Sequence, residues 1–440
     1  MLDQFFSHIS FVDVFNFCVF IAFTLCYAYQ LYYIFNVLVT KPKTLEAKRN
    51  HRFAVLISAR NESAVIGNLI HSIKVQNYPQ ELIDVFVVAD NCTDNTAEIA
   101  QEAGAIVFRR NNLEQVGKGY ALDFCIKAIH AQYADRGYEA YFVFDADNVL
   151  DVNYFREMNK TFDGGAMAST SYRNSKNYDS NWISAGYATW FLREAKFLNQ
   201  ARLNLNTSCA ISGTGFFISA KIIDKVGGWK WHLLTEDIEF SAASVLEGVR
   251  ISYCPTAVLY DEQPITFRDS WNQRFRWAKG FYQVFANYAG RLVKGMFTNE
   301  KGYKFACYDM LMTISPAMLL TIVSVVFNAI IVVLGLTGAM STGVMVASSL
   351  SSILFCFGSY LLFMFMLGVL TTFVEWDSIR STTPRKLRYM FTFPFFMLTY
   401  IPIALVALVK KAEWKPITHS IVMSAEDFGE APQTKGVAEK

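Results

Sequence analysis

The chain has 440 residues, of which 53% are hydrophobic and only 18% charged, with a formal net charge of +2. A composition this apolar excludes a wholly water-soluble enzyme, because part of the chain must be dissolved in lipid. The near-neutral charge is silent on nucleic acid, but no stripe of clustered Lys and Arg appears, and no nucleic-acid partner is expected.

In chain order, Val14 to Thr40 carries no charge and exceeds the ~20 apolar residues one helical crossing needs. No Lys or Arg precedes it, so a secretory signal peptide is not expected. Lys41, Lys43, Lys48, Arg49 and Arg52 follow at once. Positive charge collects on the cytosolic side, which puts the N-terminus outside and the next segment in the cytosol.

Lys41 to Tyr308 then has the mixed composition of a soluble domain of ordinary size, with residues 46–280 as the expected cytosolic domain. Phe53 to Ser58, Val85 to Asp90 and Tyr141 to Asp145 are short β-rich runs. Ala64 to Val75, Thr96 to Ala103 and Tyr120 to Ala131 show helical periodicity between and after them. The alternation predicts an α/β fold with a parallel sheet and helices on both faces. Ligands of such sheets bind at the carboxyl ends of the strands, where Arg60, Asp90 and Asp145 fall. Gly117 to Gly119 (GKG) lacks the spacing and the Ser/Thr of a Walker loop, which weakens an ATPase reading.

Three polar clusters stand out: FDAD at Phe144 to Asp147, TED at Thr235 to Asp237, and QRFRW at Gln273 to Trp277. Asp145 and Asp147 at a strand end suit a divalent cation, Mg²⁺ or Mn²⁺, clamping a diphosphate. Each cluster also has a structural reading. Carboxylates often open a loop, Thr235 is a good N-cap with acids in the first turn, and Arg276 with Trp277 suits an interfacial helix. Taken singly these readings stand; they do not account for all three clusters in this order.

Residues 281–308 follow, with Phe281 to Phe297 reading as an amphipathic interfacial segment. Met310 to Val374 is uncharged and predicts two membrane helices joined near Leu336 to Gly343. Arg380, Arg385, Lys386 and Arg388 are then cytosolic. Tyr389 to Val409 is apolar but contains Pro394 and Pro402, so it either crosses or re-enters. Residues 309–411 thus form a C-terminal membrane region of about three helices, residues 1–45 an N-terminal one, and 412–440 a polar tail, disordered from Ser424. The eight scattered cysteines show no zinc-site spacing and read as reduced.

These motifs together resemble processive family 2 glycosyltransferases, the group of cellulose, hyaluronan, chitin and poly-N-acetylglucosamine synthases. The resemblance covers about Phe53 to Gly280 and rests on ADNCTDNTA with Asp90, FDAD with Asp145 and Asp147, LTEDIEF with Asp237, and QRFRW with Gln273, Arg276 and Trp277. ARNE at Ala59 to Glu62, GKGYALD at Gly117 to Asp123, SGTGF at Ser212 to Phe216 and EQP at Glu262 to Pro264 agree with it.

The resemblance implies a GT-A fold, Rossmann-like and typical of nucleotide-diphospho-sugar transferases, in the cytosol of a multi-pass plasma-membrane protein. It implies a UDP-sugar donor bound by Arg60, Glu62, Asp90, Lys118 and Asp145, and a metal at Asp145 and Asp147. Asp237 would be the general base, with Glu236, Gly213, Gln273, Arg276 and Trp277 at the acceptor and diphosphate. The implied reaction is inverting transfer to a growing polysaccharide that leaves through the chain's own membrane helices. The alternative is transfer of one sugar to a membrane lipid; a transporter or inactive scaffold is disfavoured by uncharged apolar segments and by intact carboxylates. Accessory export or regulatory proteins are compatible partners. Two departures are visible: the acidic pair common at the uridine site is reduced here to Asp90, and neither a gating loop nor a cyclic-dinucleotide receptor domain is recognisable.

Overall fold

The structure, a computed structural model, describes residues 10–41, 44–299, 303–315, 317–338, 343–411, 421, 423 and 425–428. Its centre is a sheet of eight strands: β1 Phe53–Ala59, β2 Ile83–Asp90, β3 Ile106–Arg110, β4 Ala140–Asp145, β5 Val149–Leu150, β6 Ala168–Ser175, β7 Phe216–Ser219 and β8 Ile251–Asp261. They lie in the order β3-β2-β1-β4-β7-β6-β8-β5.

The expected parallel sheet is one half of the observed one. β3, β2, β1 and β4 run parallel, with Ser58 opposite Asp145 and Asp90 opposite Arg110. β7 is antiparallel to β4 and β6, β6 is parallel to β8, and β5 closes the edge antiparallel to β8. The second half is less legible than the first at β6 and β7. β6 reads ASTSYRNS, without an apolar run, and β7 is apolar but only four residues long, FFIS, so neither announces a strand of ordinary length.

β1 is buried along nearly its whole length because its alternate side chains feed two cores. Ala54 and Leu56 join Phe86, Val88 and Val143 beneath Leu122, Cys125 and Ile129 of the Lys118–Gln132 helix. Phe53, Val55 and Ile57 join Val85, Phe142 and Phe144 against Leu69, Ile70 and Ile73 of the Ile66–Lys74 helix. The sheet is thereby covered on both sides, and the carboxyl ends of β1, β2 and β4 open onto one edge.

Among the described residues, three helical stretches are long and apolar enough to cross a membrane: Phe11–Val39, Met345–Val374 and Thr383–Val409. The first breaks at Ala28 into Phe11–Tyr27 and Tyr29–Val39. The two helices expected after Met310 are Ala317–Leu336 and Gly343–Val374; residues 339–342 of their expected turn lie outside the described ones. The last stretch is Thr383–Leu398 followed by Tyr400–Val409, with Pro394 inside the first helix and the break at Thr399.

Between domain and membrane elements runs one helix of 32 residues, Phe267–Thr298. It passes position 280, the expected domain boundary, without interruption. The Lys304–Ile314 helix folds back on it through Cys307 and Met310 packed near Val284 and Leu292. A buried ion pair ties the N-terminal membrane helix to this layer. Arg202 donates from Nε and Nη2 to both oxygens of Asp309 at 2.8 Å, and the same carboxylate accepts from Tyr29 and Tyr33.

Of the tail expected to be disordered from Ser424, the structure describes residues 425–428, and these four are ordered. They form a turn in which Phe428 stacks on Tyr260 with ring centres 3.8 Å apart, while Arg380 donates to the carbonyls of Asp427 and Phe428.

Candidate active site

The β1 and β2 ends form the first wall. Arg60 and Glu62 follow β1, and Asp90 ends β2 with its carboxylate buried against Arg110 at 2.6 Å. Burial pushes the Asp90 acid up, while the cations Arg110 and Arg60 pull it down. Two loops are stitched together here: the Glu62 amide donates to Thr96, and the Asn61 side chain accepts from the Thr93 amide. Asn61 and Asn91 both adopt left-handed backbone, with φ of 58° and 55°, which turns each strand end sharply. Arg110 was invisible in sequence, since only the parallel register of β2 and β3 sets it opposite Asp90.

The FDAD cluster ends β4. Asp145 keeps a partly exposed carboxylate, gripped at 2.5 Å by Lys118 Nζ from the first residue of the Lys118–Gln132 helix. Asp147 is buried and turns inward, accepting from the Glu262 amide at 3.2 Å. Behind it lies Asp261 at the end of β8, paired with Arg173 and bonded to Gln263 and Asn148. Burial and the neighbouring Asp147 push Asp261 up to about 6 against the pull of Arg173. Lys176, also buried, has an ammonium without a hydrogen-bond partner; burial pulls its pKa down and Asp147, Glu262 and Asp261 pull it up. Asp261, Arg173 and Lys176 stand in no motif of the sequence, although Asp261 immediately precedes EQP.

TED opens the Glu236–Leu246 helix. The backbone N–H of Gly213 donates to Asp237 at 2.5 Å, and the carbonyl of the same residue accepts from Lys118 at 2.7 Å. One glycine, at φ 78°, thus joins Asp237 to the cation that holds Asp145. Thr214 beside it accepts from the Asp145 amide, and Ser212 donates to Glu194, which starts a π-helical turn over Glu194–Asn199. Glu194 was also missed. Glu236 and Asp237 are buried side by side, and desolvation raises both pKa values; Lys118 counters in each case.

QRFRW lies on the Phe267–Thr298 helix, which crosses directly over TED. At Gly280 an added Cβ would stand 2.5 Å from the Thr235 side chain, so the close crossing requires a glycine. Arg276 faces Glu236, Asp145 and Asp237 electrostatically, yet pairs with no carboxylate among the described residues. The Gln273 carbonyl oxygen is buried without a partner. Trp277 packs edge-on to Tyr187 and Phe191 at 5.8 and 6.1 Å. The other face of the helix is fastened to the last membrane stretch: Arg274 donates to the Phe396 carbonyl and Thr399, Lys279 to Ala407, and Tyr282 to Ala404.

The oxygen-only pair Asp145 and Asp147 fits a hard divalent cation. Among the described residues no group of three or more His, Cys, Asp and Glu forms a metal cage. This donor set matches an ion that takes its remaining ligands from phosphate and water. Chemically, the arrangement sets two cations, Lys118 and Arg276, beside the buried acids Glu236 and Asp237.

The sequence model described as "Glycosyltransferase like family 2" matches residues 51–280. A β-monoglucosyldiacylglycerol synthase of Nostoc sp. is 26% identical over 269 residues, covering 60% of this chain and 56% of its own. The poly-β-1,6-N-acetyl-D-glucosamine synthase of Staphylococcus aureus is 26% identical over 270 residues, covering 58% and 59%. The chain therefore spans a little over half the length of the curated relatives it matches. Among solved structures, a mannosyltransferase from Pyrobaculum calidifontis, in complex with GDP-Man and Mn²⁺, superimposes with a TM-score of 0.57 at 15% identity. It covers 90% of this chain and 99% of its own, and it carries the GT-A fold into this chain.

Proposed function

We propose that this chain, which belongs to glycosyltransferase family 2, is a membrane-embedded inverting β-glycosyltransferase that extends a polysaccharide from a UDP-sugar. The observation that carries the reading is the Gly213 bridge, which sets Asp237 beside the Lys118–Asp145 pair under the QRFRW helix.

In this reading Arg60, Glu62 and Asp90 take the uracil and ribose, with Arg110 fixing the Asp90 carboxylate. Asp145 and Asp147 hold the diphosphate end together with a divalent cation, which supplies charge neutralisation as the diphosphate departs. Lys118 and the unpaired Arg276 add fixed positive charge on the same side. Asp237 takes the proton of the acceptor hydroxyl. The hydroxyl oxygen bonds to the anomeric carbon from the face opposite the leaving group, the bond from that carbon to the phosphate oxygen breaks, and UDP departs. An α-linked donor therefore gives a β-linkage. Trp277 and Gly213 border the acceptor position, where an indole face suits a sugar ring.

The hydrogen bonds from Arg274, Lys279 and Tyr282 to the Thr383–Val409 stretch support elongation at a membrane entrance. Basic residues after the first crossing support a cytosolic catalytic domain and an outer N-terminus at the plasma membrane. A second reading, transfer of one sugar to a lipid, is favoured by the likeness to β-monoglucosyldiacylglycerol synthases. Incubation of the purified chain with radiolabelled UDP-sugars and Mg²⁺ or Mn²⁺, followed by solvent extraction and size fractionation, separates the two. High-mass label is expected; label confined to the lipid phase overturns the polymer reading.

A further inference from the structure

Arg173, on β6, carries a guanidinium that meets three walls of the site. Its Nε and Nη2 groups both donate to one carboxylate oxygen of Asp261 at the end of β8, Nε at 2.8 Å. Nη1 donates at 3.0 Å to the carbonyl of Ser212, in the loop before β7. The centre of the guanidinium lies 3.7 Å from the ring centre of Phe191 on the Trp182–Arg193 helix. The side chain is only 14% exposed, so these contacts are made away from bulk water, where each is stronger.

Each contact leads to a different part of the site. Asp261 accepts from Asn148 at 3.1 Å and lies beside Asp147, whose charge pushes its acid up. Ser212 precedes Gly213, whose N–H holds Asp237 and whose carbonyl holds Lys118. The Ser212 hydroxyl is already given to Glu194, so Arg173 grips the loop by the carbonyl and Glu194 by the side chain. Phe191 packs edge-on to Trp277. Burial pulls the Arg173 pKa down, and Asp261, Asp145 and Asp147 pull it up and prevail. A planar fork serves two acceptors and stacks on a ring at once; an ammonium does not hold that geometry.

We infer that Arg173 is a positioning residue for sugar transfer: it fixes the Ser212–Gly213 loop, and with it Asp237 and Lys118, relative to Asp145 and Asp147. It acts through the loop rather than on the reacting atoms. The inference rests on the function proposed above, in which Asp237 is the base and the Asp145–Asp147 pair holds the diphosphate end. A misplacement of about 1 Å costs on the order of 10²-fold in rate, so a bond that sets the loop is worth a measurable part of turnover. A simpler role, neutralising the buried Asp261 carboxylate, makes a different prediction.

The full chain in detergent is assayed with Mn²⁺ and radiolabelled UDP-glucose, UDP-galactose, UDP-N-acetylglucosamine and UDP-glucuronate, counting label moved to polymer and lipid together, per folded molecule. Arg173→Lys keeps the charge and should lower kcat about tenfold or more, with donor KM within about twofold of wild type. The same loss is expected when Arg173→Lys is made in Asp261→Asn, because the Ser212 contact does not need that carboxylate. Unchanged kcat in Arg173→Lys overturns the proposal. A loss that vanishes in the Asp261→Asn background also overturns it and leaves charge neutralisation alone. A raised KM with kcat retained overturns it as well, making Arg173 a donor contact. If Arg173→Lys does not fold, Arg173→Met with Asp261→Asn carries the test, since it leaves no unpaired charge of the pair. A kcat in that double variant about tenfold below Asp261→Asn supports the inference, and an equal one overturns it. A wild type that transfers no sugar overturns the proposed function and this inference with it; an active wild type matched by Arg173→Lys overturns this inference alone.

Discussion

Glu236 and Asp237 are adjacent acids at the start of one helix, and burial holds both above their ordinary pKa range. A carboxyl that stays protonated in the folded chain but ionises in the unfolded one makes the folded state the better proton binder. Stability contributed in this way is fully present below the unfolded value, 4.5 for Glu236, and falls as pH rises until the folded group ionises. This is the reverse of a salt-bridged carboxylate. Glu236→Gln should therefore flatten the decline of Tm with rising pH in metal-free protein; parallel profiles for variant and wild type would remove Glu236 as its source. The acids themselves were legible, because Asp90, Asp145, Asp147 and Asp237 stand in motifs whose order is informative. Arg110, Arg173 and Asp261 were not, since each meets its partner only through strand pairing: Asp90 opposite Arg110, and Arg173 opposite Leu259, two residues before Asp261 on the neighbouring strand.

The Phe267–Thr298 helix is the element that couples chemistry to membrane. One face sets Arg276 toward the buried acids, and the other is bonded to Phe396, Thr399, Ala404 and Ala407. Gly280 sets its height above TED. Gly280→Ala should lower stability by about 1–3 kcal/mol, the usual cost of overpacking, and should reduce transfer. Thr235→Ala removes the two closest atoms, so the double variant should recover part of both losses. Additive losses in the double variant would show that the contact is not what Gly280 protects. In sequence this helix was visible as two pieces, because its amphipathic second half differs in character from the charged QRFRW half, and composition changes faster than backbone does.

At the scale of the molecule, β1, β2 and β4 were readable because each is apolar on both faces, whereas β3, IVFRR, ends in two arginines and is mostly half-buried, and the sequence reading passes over it. The antiparallel half was not readable either, because β6 is rich in Ser, Thr and Asn and β7 is short. The apolar ends were readable by length and charge, but not the fastenings that unite them with the domain. Arg202 and Asp309 are 107 positions apart, and Tyr29 and Tyr33 reach the same carboxylate from the first membrane stretch. What unites these scales is a sheet edge that places a diphosphate end, a base and a membrane-bound helix in one place. The most direct test is to compare wild type and Asp237→Asn in transfer from radiolabelled UDP-sugar with Mg²⁺ or Mn²⁺, with donor binding measured in parallel. Loss of the general base should lower transfer by about 10²- to 10⁴-fold while donor binding persists. Equal transfer by the two proteins would contradict the account.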